Sequence, residues 1–347
     1  MSRIERALKK RFESLEGLSA VTPGVVVDVH LKGKRVALLR QGETYTYYDL
    51  ASLTKILFTA SASMFHFDRH RRELFDPVAN LLPWWRHKTT PFDFLTHTAG
   101  LEWWLPMYEK LKGPMTPESR WAQMKKRLRA VKPARREKAI YSDLDLWMMG
   151  AFLEARLEKT LLGIWKDTSD RLDLGKIFFH PGNKPKYRPA LYAPTEDCVW
   201  RGRVLRGEAH DENTWALGGV APHAGLFGDI ESVSDWGLKL RHAWRGERSP
   251  FPRQSTVRLF TGRRIPKARG DWGLGFMKPS SRKASAGRHF SKRSYGHTGF
   301  TGTSYWYDPR RDLQYAILSN RVHPTRANAR FVSLRPRIHD WVVESLG

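Results

Sequence analysis

Strand-forming sequence lies at the two ends of this chain, and helix-forming sequence fills the middle. Near the start, Val25-Val26-Val27-Asp28-Val29-His30 and Arg35-Val36-Ala37-Leu38-Leu39-Arg40 are β-rich runs. Leu31-Lys32-Gly33-Lys34 joins them with a hairpin signal. Strand patterns return at 294–296, 303–308 and 313–320, and Asp308-Pro309-Arg310-Arg311-Asp312 reads as the turn between the last two. Residues 141–157, 232–244 and 325–346 read as helices, and the proline-rich stretch 178–204 reads as loop. Runs so far apart can share one sheet only if the chain returns on itself. The pattern therefore predicts an α/β (α+β) fold, with a sheet built from both termini, flanking helices and an inserted helical part. The expected division is 1–65 plus 250–347 for the α/β part and 66–249 for the mainly helical part, within one domain of 347 residues. The seam between the two is the expected ligand cleft.

Ser52-Leu53-Thr54-Lys55 stands just after the first strands. A serine and a lysine three apart on a helix share a face, so the amine can reach the hydroxyl and help remove its proton. A chain of this length shows about one Ser-x-x-Lys by chance, and a second occurs at Ser280-Ser281-Arg282-Lys283. Context separates them. Leu53, Ile56, Leu57, Ala60 and Met64 follow Ser52 at helical spacing, which places Ser52 in the first turn of a buried α-helix. Ser280 lies in a polar stretch rich in breakers, which holds no fixed geometry.

Three further segments offer what a nucleophile needs. Tyr141 precedes Ser142-Asp143 at a helix start, where it would share a proton with Lys55 if the ammonium lowered its pKa. Gly296-His297-Thr298-Gly299-Phe300-Thr301-Gly302 is a glycine-rich strand that lets a substrate backbone approach, and its amides suit an oxyanion hole. Leu95-Thr96-His97-Thr98-Ala99-Gly100 reads as a capped helix end, with His97 structural. His210-Asp211-Glu212-Asn213 reads as a hydrogen-bonded loop and not a metal site, because consecutive residues rarely converge on one ion. The single cysteine, Cys198, leaves no internal disulfide and no cysteine-based zinc site, and it reads as a small buried hydrophobe.

Sixty Lys and Arg against 35 Asp and Glu give a net charge of +25. Such a balance attracts polyanions. The basic runs at 125–138, 263–269 and 282–293 lack interleaved aromatics and match no nucleic-acid motif, so they read as solvated surface or as attraction for an anionic substrate. The first residues carry charge but no apolar run, and no stretch is long enough to span a membrane, so a cytoplasmic address is the expectation. Ile4, Leu8, Phe12 and Leu15 suggest an amphipathic helix packed on the body.

These motifs, in this order, resemble the serine β-lactamase and penicillin-binding-protein superfamily, in particular its class C-like branch. That branch includes D-alanyl-D-alanine carboxypeptidases and esterases. Ser52 to Lys55 matches its Ser-x-x-Lys, Tyr141 matches its Tyr-x-Asn with Asp143 in place of Asn, and His297-Thr298-Gly299 matches its Lys-Thr-Gly. Phe94 to Leu101, His210 to Asn213 and Gly218 to Phe227 also look like the branch, and the likeness runs from about residue 25 to 340.

The resemblance implies a β-lactamase/transpeptidase-like fold and an acyl-enzyme on Ser52, with Lys55 and Tyr141 as coupled base and acid. It implies substrate contacts from Asp143, His297, Thr298, Gly299, Phe300 and Thr301. The implied substrate is a D-alanyl peptide, a β-lactam or a small ester, and no cofactor is expected. Asp143 lacks the donor of an amide, so it would pair with Lys55 or favour a substrate carrying a donor or a cation. His297, if neutral, attracts a carboxylate less than lysine does but would still donate a hydrogen bond. The alternative reading is a non-catalytic ligand- or polyanion-binding protein on the same fold.

Overall fold

The computed structural model describes residues 2–15, 17–113, 115–280 and 285–346. Of the second Ser-x-x-Lys, residues 281–283 lie outside the described residues, as does the start of the basic run 282–293.

The sheet has five antiparallel strands: β1 (Gly24–Leu31), β2 (Lys34–Gly42), β3 (Tyr295–Thr298), β4 (Ser304–Asp308) and β5 (Leu313–Ser319). Their order across the sheet is β2-β1-β5-β4-β3, so the first and last parts of the chain meet at the β1–β5 ladder, where Val27 faces Ile317. The β1–β2 turn is Lys32-Gly33, with φ of 52° and 78°. Two consecutive positive φ values are what a two-residue hairpin needs to match the strand twist.

Alternation along the strands sorts the two faces. Val25, Val27, Val29, Tyr315 and Ile317 pack with Leu8 and Phe12 of α1 (Arg3–Glu13) and with Phe331, Ile338 and Trp341 of a C-terminal helix, Arg330–Glu344. Val26, Tyr305, Tyr307, Ala316 and Leu318 join the larger core with Val233, Trp236 and Leu240 of Ile230–Arg245. Each buried valine, leucine, isoleucine or phenylalanine among them contributes roughly 1.5–3 kcal/mol by leaving water.

Several local readings shift. The helix expected over 141–157 begins at Asp143, because Ser142 stays extended and its Oγ accepts from the Leu144 and Asp145 amides. The helix expected over 325–346 runs Arg330–Glu344. The Ser52 segment departs most. Ala51–Leu53 is a 3₁₀ turn, Lys55–Ala60 is a π-helix, and α-helical geometry starts at Ser61. The Ser61 hydroxyl donates to the Ile56 carbonyl, a side-chain bond that accompanies the wide turn. Short π segments cluster at functional sites.

Gly237 sets the approach of Ile230–Arg245 to β4. A Cβ there would lie 2.3 Å from the ring of Tyr305, which is fully buried. Gly237→Ala should therefore destabilise the protein by about 1–3 kcal/mol through overpacking, despite the roughly 1 kcal/mol gain in helix propensity. Urea denaturation checks this, and a more stable variant would refute it.

Candidate active site

The segment before Ser52 is fixed from below. Asp49 is fully buried and accepts from the Ala51 and His210 amides. Ala51 takes a φ of 45°, a left-handed conformation costly for a residue with a Cβ. The surrounding hydrogen bonds hold this bend and present Ser52 at its crest.

Ser52 Oγ accepts from Lys55 Nζ and from Tyr141 Oη, each at 2.8 Å. Lys55 is 1% exposed. Its ammonium also donates to the His223 carbonyl at 3.1 Å and forms an ion pair with Asp143, whose Oδ1 lies 2.8 Å away. Burial lowers the Lys55 pKa, but the charge of Asp143 and the Tyr141 oxygen outweigh it, and the net shift is upward. Burial raises the Tyr141 pKa, and Asp143 adds to this, against the opposing effect of Lys55. The expected lowering of the Tyr141 pKa by the ammonium is thus reversed. The nearby carboxylate cancels the ammonium, and desolvation of the phenolate decides the sign.

Tyr141 is held from behind. Its ring stacks on Trp272 at 5.6 Å and meets the edge of His97 at 5.1 Å. His97 Nδ1 lies 2.9 Å from Asp145 Oδ2. Burial drives both towards neutrality: Asp145 is pushed well above the usual carboxylate range and His97 well below the usual imidazole range. His97 therefore packs against the tyrosine as a neutral ring.

His297 is buried at 1% exposure, with its ring 5.8 Å from that of Tyr141. Burial, aided by Lys55, lowers its pKa to about 3, so the ring is neutral. Its Nδ1 lies 2.8 Å from the Thr298 carbonyl, which can only accept, so the ring's proton sits there. Nε2 is left as a bare lone pair with no partner among the described residues. The expectation that His297 would donate to a ligand is corrected: its one donor is engaged, and it offers an acceptor.

The turn from Gly299 to Thr303 is tied to the nucleophile segment. Thr301 Oγ1 donates to the Asp49 carbonyl at 2.7 Å, and Thr303 Oγ1 donates to that of Leu50 at 3.1 Å. Behind the turn stand two buried arginines without a carboxylate partner among the described residues. Arg335 Nη1 donates to the Gly299 and Thr303 carbonyls, and Arg321 Nε donates to that of Phe300. Burial lowers the Arg335 pKa to about 10. The N–H groups of Phe300 and Thr301 donate to no carbonyl among the described residues. The two guanidinium groups polarise the peptides that carry those amides.

Sequence reasoning did not assign Asp211 to the site. It caps Glu212–Ala216 by accepting from the Thr214 amide, and it accepts from His223 Nε2 at 3.1 Å. Atoms of Asp143, Asp211 and His223 lie within 4.8 Å of one another. That spacing could suit a metal ion, but the donor set does not. The Trp147 indole N–H donates to His223 Nδ1, so the ring's proton is on Nε2 and neither nitrogen has a free lone pair. Lys55 already occupies Asp143. No single-sequence signal could have brought Asp211 beside Asp143.

The model of the beta-lactamase family matches residues 3–335. A protein of Salmonella gallinarum, provisionally named D-alanyl-D-alanine carboxypeptidase, is 31% identical over 340 residues, covering 87% of this chain and 77% of its own length. A penicillin-binding protein homologue from Caulobacter crescentus superposes with a TM-score of 0.70 at 18% identity, over 99% of this chain and 98% of its own. EstCE1, a hydrolase with promiscuous acyltransferase activity, gives a TM-score of 0.68 at 19% identity, over 96% and 100%. At those identities the two structures speak to the fold. No described helix is long and apolar enough to cross a membrane.

Burial raises the Asp211 pKa, but the hydrogen bonds it accepts from His223 Nε2 and from Thr214 outweigh it and hold this carboxyl below its ordinary value of 3.8. A lowered pKa contributes stability that is complete above the unfolded value and lost as pH falls past it. Asp211→Asn keeps the helix cap. The variant should lose about 1–2 kcal/mol at neutral pH, and the gap to wild type should close as pH drops below 3.8. Urea denaturation across pH would show a constant gap if the charge of Asp211 were irrelevant.

Proposed function

We propose a reaction for this chain, which belongs to the beta-lactamase family and is a serine hydrolase: cleavage of an amide or ester through an acyl-enzyme on Ser52. Ser52 Oγ attacks the carbonyl carbon while its proton passes to the Lys55–Tyr141 pair. The developing oxyanion accepts from the backbone N–H of Ser52 and from that of Phe300 or Thr301. Collapse breaks the bond to the leaving group, which takes the proton. Water then attacks the Ser52 ester, the acid leaves, and the hydroxyl is restored. Thr298 and Gly299 line the strand edge along which the substrate backbone lies. The observation that carries this reading is the pair of 2.8 Å contacts on one serine oxygen, from a buried amine and a half-buried phenol. The two titrate as a unit.

Wild-type protein should become covalently labelled by a fluorophosphonate, with the mass shift on the Ser52 peptide, and Ser52→Ala should lose all labelling. Equal labelling of the variant would sink the assignment.

Acylation needs one proton to leave the Lys55–Tyr141 pair, and both groups are pushed upward. The acylation rate should thus rise with pH into the alkaline range. Asp143→Asn removes the charge that raises both groups, so the rising limb should move to lower pH. A limb unchanged in this variant, read from stopped-flow labelling rates, would show that Asp143 does not control the pair.

A further inference from the structure

The replacements at this site all run in one direction. Where the resembled motifs have an amide donor, this chain has the carboxylate of Asp143. Where they have a lysine ammonium, it has His297, whose Nδ1 faces the Thr298 carbonyl and whose Nε2 is a buried lone pair without a partner among the described residues. Asp211 stands with Asp143 in the same three-residue cluster, and its partner His223 is a neutral ring by the Trp147 contact.

The charges at the nucleophile can be counted from these contacts. Lys55 contributes one positive charge, and Asp143 and Asp211 contribute one negative charge each. Tyr141, His223 and His297 contribute none. The site is therefore net negative, in a chain whose overall charge is +25. The negative groups are not sealed off. The side chains of Asp143 and Asp211 are 15% and 22% exposed, while Lys55 beneath them is 1% exposed. The ammonium donates to the serine, while part of each carboxylate side chain stays exposed. Arg321 and Arg335 stand on the far side of the turn, with N–H groups directed to its carbonyls.

A carboxylate-ended substrate would meet the two carboxylates there, against the hydroxyl of Thr298 as a donor. A protonated amine would meet acceptors for each of its protons. We infer that this site takes esters or amides bearing a protonated amine close to the scissile carbonyl, as in an aminoacyl group, and disfavours substrates ending in a carboxylate. Asp143 and Asp211 hold the ammonium, and His297 Nε2 accepts from a substrate N–H. The basic exterior plays no part in this selection, since the groups nearest the reacting carbonyl dominate at short range.

The inference rests on Ser52 as the acylated residue. The test uses three matched fluorophosphonate probes of equal length, ending in a methyl, an ammonium or a carboxylate group. Second-order labelling rates are measured on the full chain, on Asp143→Asn and on Asp211→Asn. Each unit of charge near the carboxylates is worth about tenfold at an intermediate effective dielectric, so the ammonium probe should outpace the carboxylate probe by about a hundredfold. Either variant brings the site to net zero and should shrink that ratio by about a hundredfold, to near one, whatever it does to the absolute rate. Circular dichroism and the methyl probe confirm that the variants are folded and reactive.

Equal rates for the three probes, or a faster carboxylate probe, would overturn the inference and leave acylation of Ser52 standing. A ratio unchanged in both variants would equally overturn it, because the bias would then come from elsewhere. Failure of all three probes to label Ser52 would overturn the acyl-enzyme reading and the inference with it.

Discussion

The buried ammonium of Lys55 organises this molecule. An isolated charge at such depth would cost several kcal/mol in lost hydration, so the fold must bring acceptors to it. It does so from three separate places: Ser52 one helical turn before, the His223 carbonyl in a loop, and Asp143 at the head of Asp143–Leu157. The same loop is clasped further along, where Thr59 Oγ1 donates to the Pro222 carbonyl and Thr54 Oγ1 accepts from the Leu226 amide. Removing the lysine would leave the Asp143 charge uncompensated in a half-closed site. The requirement of one side chain thus fixes the mutual position of the nucleophile segment, the helical part and the intervening loop.

Asp143 has a second effect through the same contact. An amide there would leave Lys55 freer to lose a proton. A carboxylate stabilises the ammonium and raises the phenol as well, so the resting site holds its protons tightly. The oxyanion side is arranged in the opposite sense. Two buried guanidinium groups without carboxylate partners among the described residues grip the carbonyls of the Gly299–Thr303 turn, and their positive charge acts through the peptide groups. The site therefore separates its charges in space, with the partly exposed carboxylates of Asp143 and Asp211 on one side and the guanidinium groups behind the amides.

Much of the frame was legible in the residues. The valine run at 25–29 and the strand pattern over 313–320 come from burial on both faces of a sheet, a signal local to each strand. Lys32-Gly33 announces its turn because the backbone requires positive φ there. Ser52, Lys55, Tyr141 and His297 were found through spacing and order, and the structure brings them together. The π-helical geometry of Lys55–Ala60 was not legible, because helical spacing of apolar residues reads the same for a slightly wider turn. The helix start at Asp143 in place of Tyr141 was missed for a similar reason. Only the cap bonds of Ser142 separate the two readings.

What the sequence by itself determined is the list of chemical groups and the elements that carry them: a serine and lysine one turn apart, a tyrosine at a helix start, and a small-residue strand. Those follow from local spacing, which a single chain displays. What only the tertiary structure decided is the state of each group. The proton on His297 is placed by a carbonyl contact, the charge on Lys55 by a carboxylate from another helix, and the role of Asp211 by a loop that folds back to Asp143. Protonation and donor direction depend on neighbours distant in sequence and on the water they exclude, and neither is written in the spacing of residues along the chain.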